Sequence, residues 1–247
     1  MRWKRYKKTD EHSYSFGAFP TIELLDQNPM LILEVLISSK YKDKEGLTRR
    51  LEVQDIPYRI DDIQIRRLSP KENTYVVGVF HKEAEEVRDY NHLVCDGISD
   101  MGNLGNICRT MIAFGLYDLV TIGNCCDFFD PRTVRASMGS IFHIRHSYFD
   151  SIEDYRTKYP YHELSLFMLD PTSVPLPEAE VPKRWSLVFG NEAAGLPPEY
   201  ADYGRPVRIP QSPYVDSLNL TTAVAVGLYH YTNGCLPKKK KGACADD

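Results

Sequence analysis

From about residue 91 to residue 231, short apolar runs alternate with segments of helical periodicity. This alternation confines the chain to an α/β fold built on a mostly parallel sheet. Residues 92–96, 119–122, 141–144, 166–169 and 187–189 read as buried strands. Residues 103–115 place Leu104, Ile107, Met111, Ile112 and Phe114 at helical spacing, and residues 221–231 close as an apolar helix. Two of the runs break into Gly, Pro and small polar residues at their C-terminal ends. The first is Leu187-Val188-Phe189-Gly190-Asn191-Glu192-Ala193-Ala194-Gly195-Leu196. The second begins Arg208-Ile209-Pro210-Gln211-Ser212-Pro213 and continues through Asp216-Ser217-Leu218-Asn219-Leu220 to Ala223. In open α/β sheets, ligands sit outside the carboxyl ends of the strands, where backbone groups are free. Two such edges close together in sequence point to a pocket made largely of main chain.

A chain of 247 residues suits one large domain or two modest ones. The first 80 residues have an alternation of their own. Residues 20–25, 44–54 and 61–68 read as helices, residues 31–37 and 75–80 as strands, and Ser69-Pro70 as a turn. Residues 82–90 and 150–158 are more polar and read as surface helices, the charged stretch 82–89 also serving as a linker. The expected organisation is one unit over residues 1–82, a linker over 83–90, a second unit over 91–237 and a basic tail over 238–247.

At a net charge of −4, bulk charge does not announce a nucleic-acid binder, so charge placement carries the argument. Residues 1–8 (Met-Arg-Trp-Lys-Arg-Tyr-Lys-Lys) are strongly basic with interleaved aromatics, and Arg49-Arg50, Arg66-Arg67 and residues 238–241 add local clusters. Lys and Arg neutralise phosphates, and Trp or Tyr stacks on unpaired bases. The competing reading is a pair of solvated, frayed ends. The six cysteines form no CxxC pair and have no His at zinc-ligand spacing; Cys95 and Cys108 sit in apolar contexts as small hydrophobes. A reduced, cytoplasmic protein is expected, with no metal. No run is long and apolar enough to span a membrane, and the basic start is not followed by the apolar core of a signal peptide.

The two broken runs resemble the second and third motifs of the SpoU (TrmH-type) RNA ribose 2′-O-methyltransferases of the SPOUT superfamily. A third segment, Asp100-Met101-Gly102-Asn103-Leu104-Gly105-Asn106-Ile107-Cys108-Arg109-Thr110, resembles the first motif, in the family's order and spacing. Met101 stands where Pro is usual, and Met111 where Ala is common. The resemblance implies a C-terminal trefoil-knot methyltransferase domain, S-adenosyl-L-methionine as methyl donor, RNA as substrate, and a homodimer whose pocket draws on both chains. The first 82 residues resemble, more loosely, the L30e-like substrate-binding domain that precedes the catalytic domain in some SpoU enzymes. The features are Phe16-Gly17, an apolar helix, a strand, Ile56-Pro57 and Val77-Gly78-Val79. Such domains recognise irregular RNA, which favours rRNA over tRNA.

By the same resemblance, the catalytic group is Arg109, Asn103, Glu192, Ser217 and Asn219, and Gly190, Ile209 and Leu218 line the cofactor mainly through backbone contacts. Chemistry refines these roles. A guanidinium holds its proton far above neutral pH, so Arg109 suits bidentate phosphate binding and alkoxide stabilisation better than proton abstraction. Asn103 would cap its helix or orient the arginine segment, and Gly105 would allow a close backbone approach. Glu192 would hold Arg109 or bind loop amides. Ser217 would cap the last helix, or Ser217 and Asn219 would face substrate and partner chain while Leu218 packs on adenine. His143 and His146 lack a third ligand for a metal, Cys125-Cys126 reads as packing, and Gly102-x-x-Gly105 lacks the third glycine of a dinucleotide fingerprint. The rival from another class is a catalytically inactive RNA-binding or ribosome-assembly protein on the same scaffold.

Overall fold

A computed structural model describes residues 2–69 and 71–232. Pro70, Cys235, Cys244 and the lysine run 238–241 lie outside the described residues. The first unit carries strands β1 (His12–Phe16), β2 (Ile32–Ile37), β3 (Tyr58–Ile60) and β4 (Val76–His81), in the order β1-β4-β2-β3. Strand β4 runs antiparallel to β1 and β2, and β3 parallel to β2. Helices α1 (Ala18–Gln27), α2 (Lys44–Val53) and α3 (Asp62–Leu68) connect them. Gly17 takes φ 117° to turn the chain from β1 into α1, a conformation that other residues rarely adopt. Strand β1 escapes a periodicity reading because its inward residues include Ser13 and Ser15, both fully buried. Their hydroxyls bond Phe129 O (2.5 Å) and the Thr21 hydroxyl (2.9 Å).

The second unit is a seven-stranded sheet with every pairing parallel. Its strands are β5 (His92–Asp96), β6 (Asp118–Ile122), β7 (Arg145–Phe149), β8 (Glu163–Phe167), β9 (Val174–Pro175), β10 (Trp185–Phe189) and β11 (Arg205–Arg208), in the order β7-β6-β5-β10-β8-β11-β9. Helices α4 (Met101–Ala113), α5 (Pro131–Ala136), α6 (Ile152–Lys158) and α7 (Leu220–Tyr231) flank it. The chain runs outward from β5 to β7, crosses to β8 on the other side, and later inserts β10 between β5 and β8. The carboxyl ends of β5 and β10 thus flank the point where the winding reverses, which is where ligands bind such sheets.

Two expected elements differ. Residues 141–144 are not a strand: Ser140–His143 form a 3-10 turn, and the strand follows at β7. Gly139, at φ 86°, leads into that turn so close to α1 that an added Cβ would lie 2.6 Å from Glu23 Cβ. Residues 82–90 form no helix. Their apolar residues, Ala84 and Val87, are too few to make a helical face, and their backbone groups are satisfied by neighbouring strands instead. His146 N–H donates to Glu85 O (2.8 Å), Val87 N–H to Ser147 Oγ (3.2 Å) and Arg88 N–H to Asp118 Oδ1 (2.9 Å).

One apolar cluster runs from Leu24, Leu25 and Phe80 of the first unit through Phe128, Val134 and Ile141 to Leu93, Leu104 and Leu187 of the second. The two sheets therefore share a core, and removing residues 1–82 would expose apolar surface of the second unit to water. The opposite face of the large sheet buries Val94, Val120, Leu166 and Val188 against Ile152 and Tyr155 of α6. At the amino ends of these strands, buried His92 meets the Tyr155 hydroxyl through Nδ1 (2.8 Å) and donates from Nε2 to Arg88 O (2.6 Å).

Candidate active site

The site assembles where the β5–α4 connection meets the loop after β10. Asp100, not Asn103, caps α4: its Oδ1 accepts from Asn103 N–H at 2.7 Å. Asn103 lies one turn in, and its side-chain amide is free to donate to Glu192 Oε1 at 3.1 Å. The Glu192 carboxylate also accepts from Ser99 N–H and the Ser99 hydroxyl (3.2 Å each) and from Asp100 N–H (3.2 Å). Of the two roles open to Glu192, the structure shows amide binding, with Asn103 in the place expected of Arg109. Partial burial opposes ionisation of Glu192, but hydrogen bonds from its own loop, Asn103, Ser99 and Asp100 outweigh it. They hold the carboxyl below its usual range.

Asn191 shapes this loop, and the sequence reading passed over it. Its Oδ1 accepts from Ala193 N–H (2.9 Å) and Ala194 N–H (3.1 Å), while its amide donates to Gly97 O (2.8 Å) in the β5–α4 connection. An Asn whose side chain accepts from amides two and three residues on is a familiar loop former, and that was the available signal. Asp100 was legible in the same way, as an acceptor placed just before a helical pattern. Gly190 is required sterically: a Cβ there would lie 2.3 Å from the Gly195 carbonyl.

Beside this loop lies a cavity of about 540 Å³, between the ends of β8, β10 and β11 and the start of α7. Gly190, Ile209 and Leu218 all line it, as do Glu192 and Ser217. Phe167 and Phe189, stacked with ring centres 4.2 Å apart, are part of its wall. Asn219 rather than Ser217 caps α7, with Oδ1 accepting from Thr221 N–H (2.9 Å) and the Thr221 hydroxyl (2.6 Å). Ser217 is exposed at the cavity mouth. Gly105 packs α4 on α5, its added Cβ lying 2.5 Å from Thr133 O.

Arg109 stands apart. It is exposed on α4, its side chain has no hydrogen bond or ion pair among the described residues, and it does not line the cavity. Six residues beyond Asn103, it lies about 9 Å further along the helix axis. Within one chain, then, Asn103, Glu192, Ser217 and the cofactor-lining residues converge, and Arg109 does not. Among the described residues, no group of three or more His, Cys, Asp or Glu side chains could hold a metal ion, and no helix is long and apolar enough to cross a membrane.

The chain belongs to the SpoU rRNA Methylase family, whose model matches residues 90–229. It is similar over nearly its whole length to the Bacillus subtilis 23S rRNA (guanosine(2553)-2′-O)-methyltransferase RlmP, with 26% identity covering 92% of this chain and 93% of that protein. It shares 32% identity over 139 residues with an uncharacterized tRNA/rRNA methyltransferase, slr1673, of Synechocystis; that match covers 56% of this chain and spans about half (51%) of the relative. Its fold superposes on the crystal structure of an AdoMet-bound rRNA methyltransferase from Sinorhizobium meliloti with a TM-score of 0.79 and 27% identity, covering 92% and 89% of the two chains.

Proposed function

We propose that this chain is an S-adenosylmethionine-dependent methyltransferase of the ribose 2′-hydroxyl in structured rRNA. The observation that carries the proposal is the bonding of Glu192 to Asn103 and to the Ser99 and Asp100 amides, beside a cavity lined by Gly190, Ile209 and Leu218. Three separate sequence motifs meet there. The cavity suits the methyl donor: it is rich in main chain, leaves no space for a side chain at Gly190, and has an aromatic pair in its wall. Gly190, Ile209 and Leu218 hold the donor, which supplies the electrophilic methyl when bound.

The remaining work belongs to this chain's side chains. Glu192, through Asn103, keeps the β10 loop against the start of α4 and so fixes the cavity relative to the arginine helix. Arg109 binds the phosphate beside the target ribose bidentately and stabilises negative charge developing on the 2′-oxygen. The proton leaves through phosphate or water. Ser217, at the cavity mouth, and Asn219, which caps α7 two residues on, are assigned to the entering ribose. Positioning of this kind supplies several kcal/mol of the barrier.

Because Arg109 is exposed and does not line its own chain's cavity, we assign it to the cavity of a second copy in a homodimer. Support comes from exposed Val226 (37%) and Tyr229 (66%) on α7, which packs beside α4, with Tyr229 edge-on to Phe114 at 6.4 Å. Residues 1–82 act as an L30e-like substrate-binding domain, residues 91–237 as a trefoil-knot catalytic domain, and the setting is cytoplasmic. The B. subtilis relative, matched along both chains, acts by its name on 23S rRNA, which favours rRNA over tRNA.

The test is transfer of labelled methyl from S-adenosylmethionine to size-fractionated RNA from cells lacking this gene. Label in a large ribosomal RNA, mapped by resistance to alkaline cleavage, is expected. Label confined to the small fraction would move the substrate to tRNA. Absence of both label and donor binding would leave an inactive RNA-binding protein as the account.

A further inference from the structure

The basic segment at the start of the chain is neither a frayed end nor a set of stacking aromatics. Trp3 packs on the first unit and donates from Nε1 to Glu34 Oε2 (2.5 Å). Its carbonyl accepts from the Gln64 amide (2.8 Å), and Lys4 O accepts from the buried Tyr14 hydroxyl. Arg5 Nε reaches Arg67 O (3.3 Å), Lys7 N–H reaches Asp10 (2.8 Å), and Lys8 O accepts from Lys82 Nζ (2.7 Å). Tyr6 is half-buried, and its hydroxyl donates to the carboxylate of Asp127, which precedes α5. Each aromatic is thus spent on internal packing, and the stretch is held to the fold almost residue by residue.

The charges are not spent. Arg2, Lys4, Arg5, Lys7 and Lys8 are exposed, and none forms an ion pair among the described residues; the same holds for Arg66 and Arg67 beside them on α3. The chain as a whole is net negative, so this unpaired cluster is a strong local departure. It leads towards the site. Two carboxylates on the way are covered, Asp127 by the Tyr6 hydroxyl and Asp130 by Arg132 through two bonds of 2.9 Å. Arg132 stands at the start of α5, which packs on α4 at Gly105, and its side chain remains 69% exposed.

We propose that residues 2–8 form a fixed cationic ribbon that binds the phosphate backbone of the substrate RNA and leads it across the 127–132 segment to the catalytic edge. The inference rests on the reading of the chain as an RNA methyltransferase. It adds that this contact is made by charge alone, without base stacking, because the rings face inward. A ribbon already ordered in the free protein gives up little conformational freedom on binding.

The test uses the full chain and deproteinised 23S rRNA as probe. In one variant Arg2, Lys4, Lys7 and Lys8 are all replaced by Gln; none of these side chains makes an internal bond, so the fold and donor affinity are retained. Each phosphate contact contributes about 0.7–0.9 to the slope of log affinity against log salt, so the variant should lose about 3 from that slope. A second variant, Tyr6→Phe, keeps every charge but removes the ribbon's bond to Asp127 and uncovers that carboxylate on the RNA path; the slope should persist while KM for RNA rises several-fold. An unchanged slope in the first variant overturns the ribbon, and an unchanged KM in the second overturns its anchoring at Asp127. Methyl transfer with an unchanged slope would remove the ribbon and leave the enzyme. A ribbon-dependent slope without methyl transfer to any RNA would do the reverse.

Discussion

Replacing Glu192 by Gln removes one charge from the centre of the site at almost constant volume. The carboxylate accepts from Ser99 N–H, the Ser99 hydroxyl, Asp100 N–H and the Asn103 amide at 3.1–3.2 Å. Gln retains one acceptor oxygen and turns an amide donor towards the remaining donors. Hydrogen bonds to a charged group contribute about 1.5–3 kcal/mol each, and the long distances and partial exposure reduce this to about 2 kcal/mol for the set. In a chain of this size that lowers Tm by about 4–8 °C. Because the loop shapes the cavity, affinity for S-adenosylmethionine should fall about tenfold, the equivalent of 1.4 kcal/mol. The pH dependence has a definite sign. The folded carboxyl sits below its ordinary value of 4.5, so its stabilisation is full above that value and is lost as pH falls through the folded pKa. Thermal melts of parent and variant from pH 7.5 downward should converge in acid. Equal melting temperatures at pH 7.5, or a gap that widens on acidification, would refute the reasoning.

Arg109→Ala should abolish methyl transfer while donor affinity, read by calorimetry, stays within a few fold; Arg109→Lys should restore little, since a lysine cannot make the bidentate contact. Near-normal turnover by the alanine variant would remove the assigned role. Gly190→Ala forces a Cβ to 2.3 Å from the Gly195 carbonyl, so the loop must open and donor binding should weaken at least tenfold, which equilibrium dialysis would detect. Burial holds the His92 pKa down at about 4, against 6.5 when unfolded, so its contribution is full above pH 6.5 and is lost towards pH 4. Moving from pH 7.5 to 5.0 should cost about 2 kcal/mol in urea denaturation, and His92→Gln should flatten that part of the curve.

Much of the second unit was legible because its strands and helices carry their periodicity locally. Residues 92–96 and 187–189 are continuous apolar runs, and α4 and α7 follow their apolar spacing closely. The elements that escaped are those whose burial is decided elsewhere. Strand β1 hides two buried serines whose partners are Phe129 O and Thr21; β7 starts only after a turn that α1 presses into place; and residues 82–90 take their form from the edge of a sheet they do not belong to. In the site, the two broken runs were enough to point to a main-chain pocket at strand ends, whereas Gly190, Ile209 and Leu218 were singled out by the resemblance of their segments to the family's motifs. The sequence alone determined the α/β class, the order of the motifs and the residue types available for chemistry. Only the tertiary structure decided that Glu192 bonds Asn103 rather than Arg109, that Asp100 and Asn219 are the caps, and that Trp3 and Tyr6 face inward. Those choices join residues as many as 121 positions apart, and a hydrogen bond depends on a direction in space that no local pattern of residues contains.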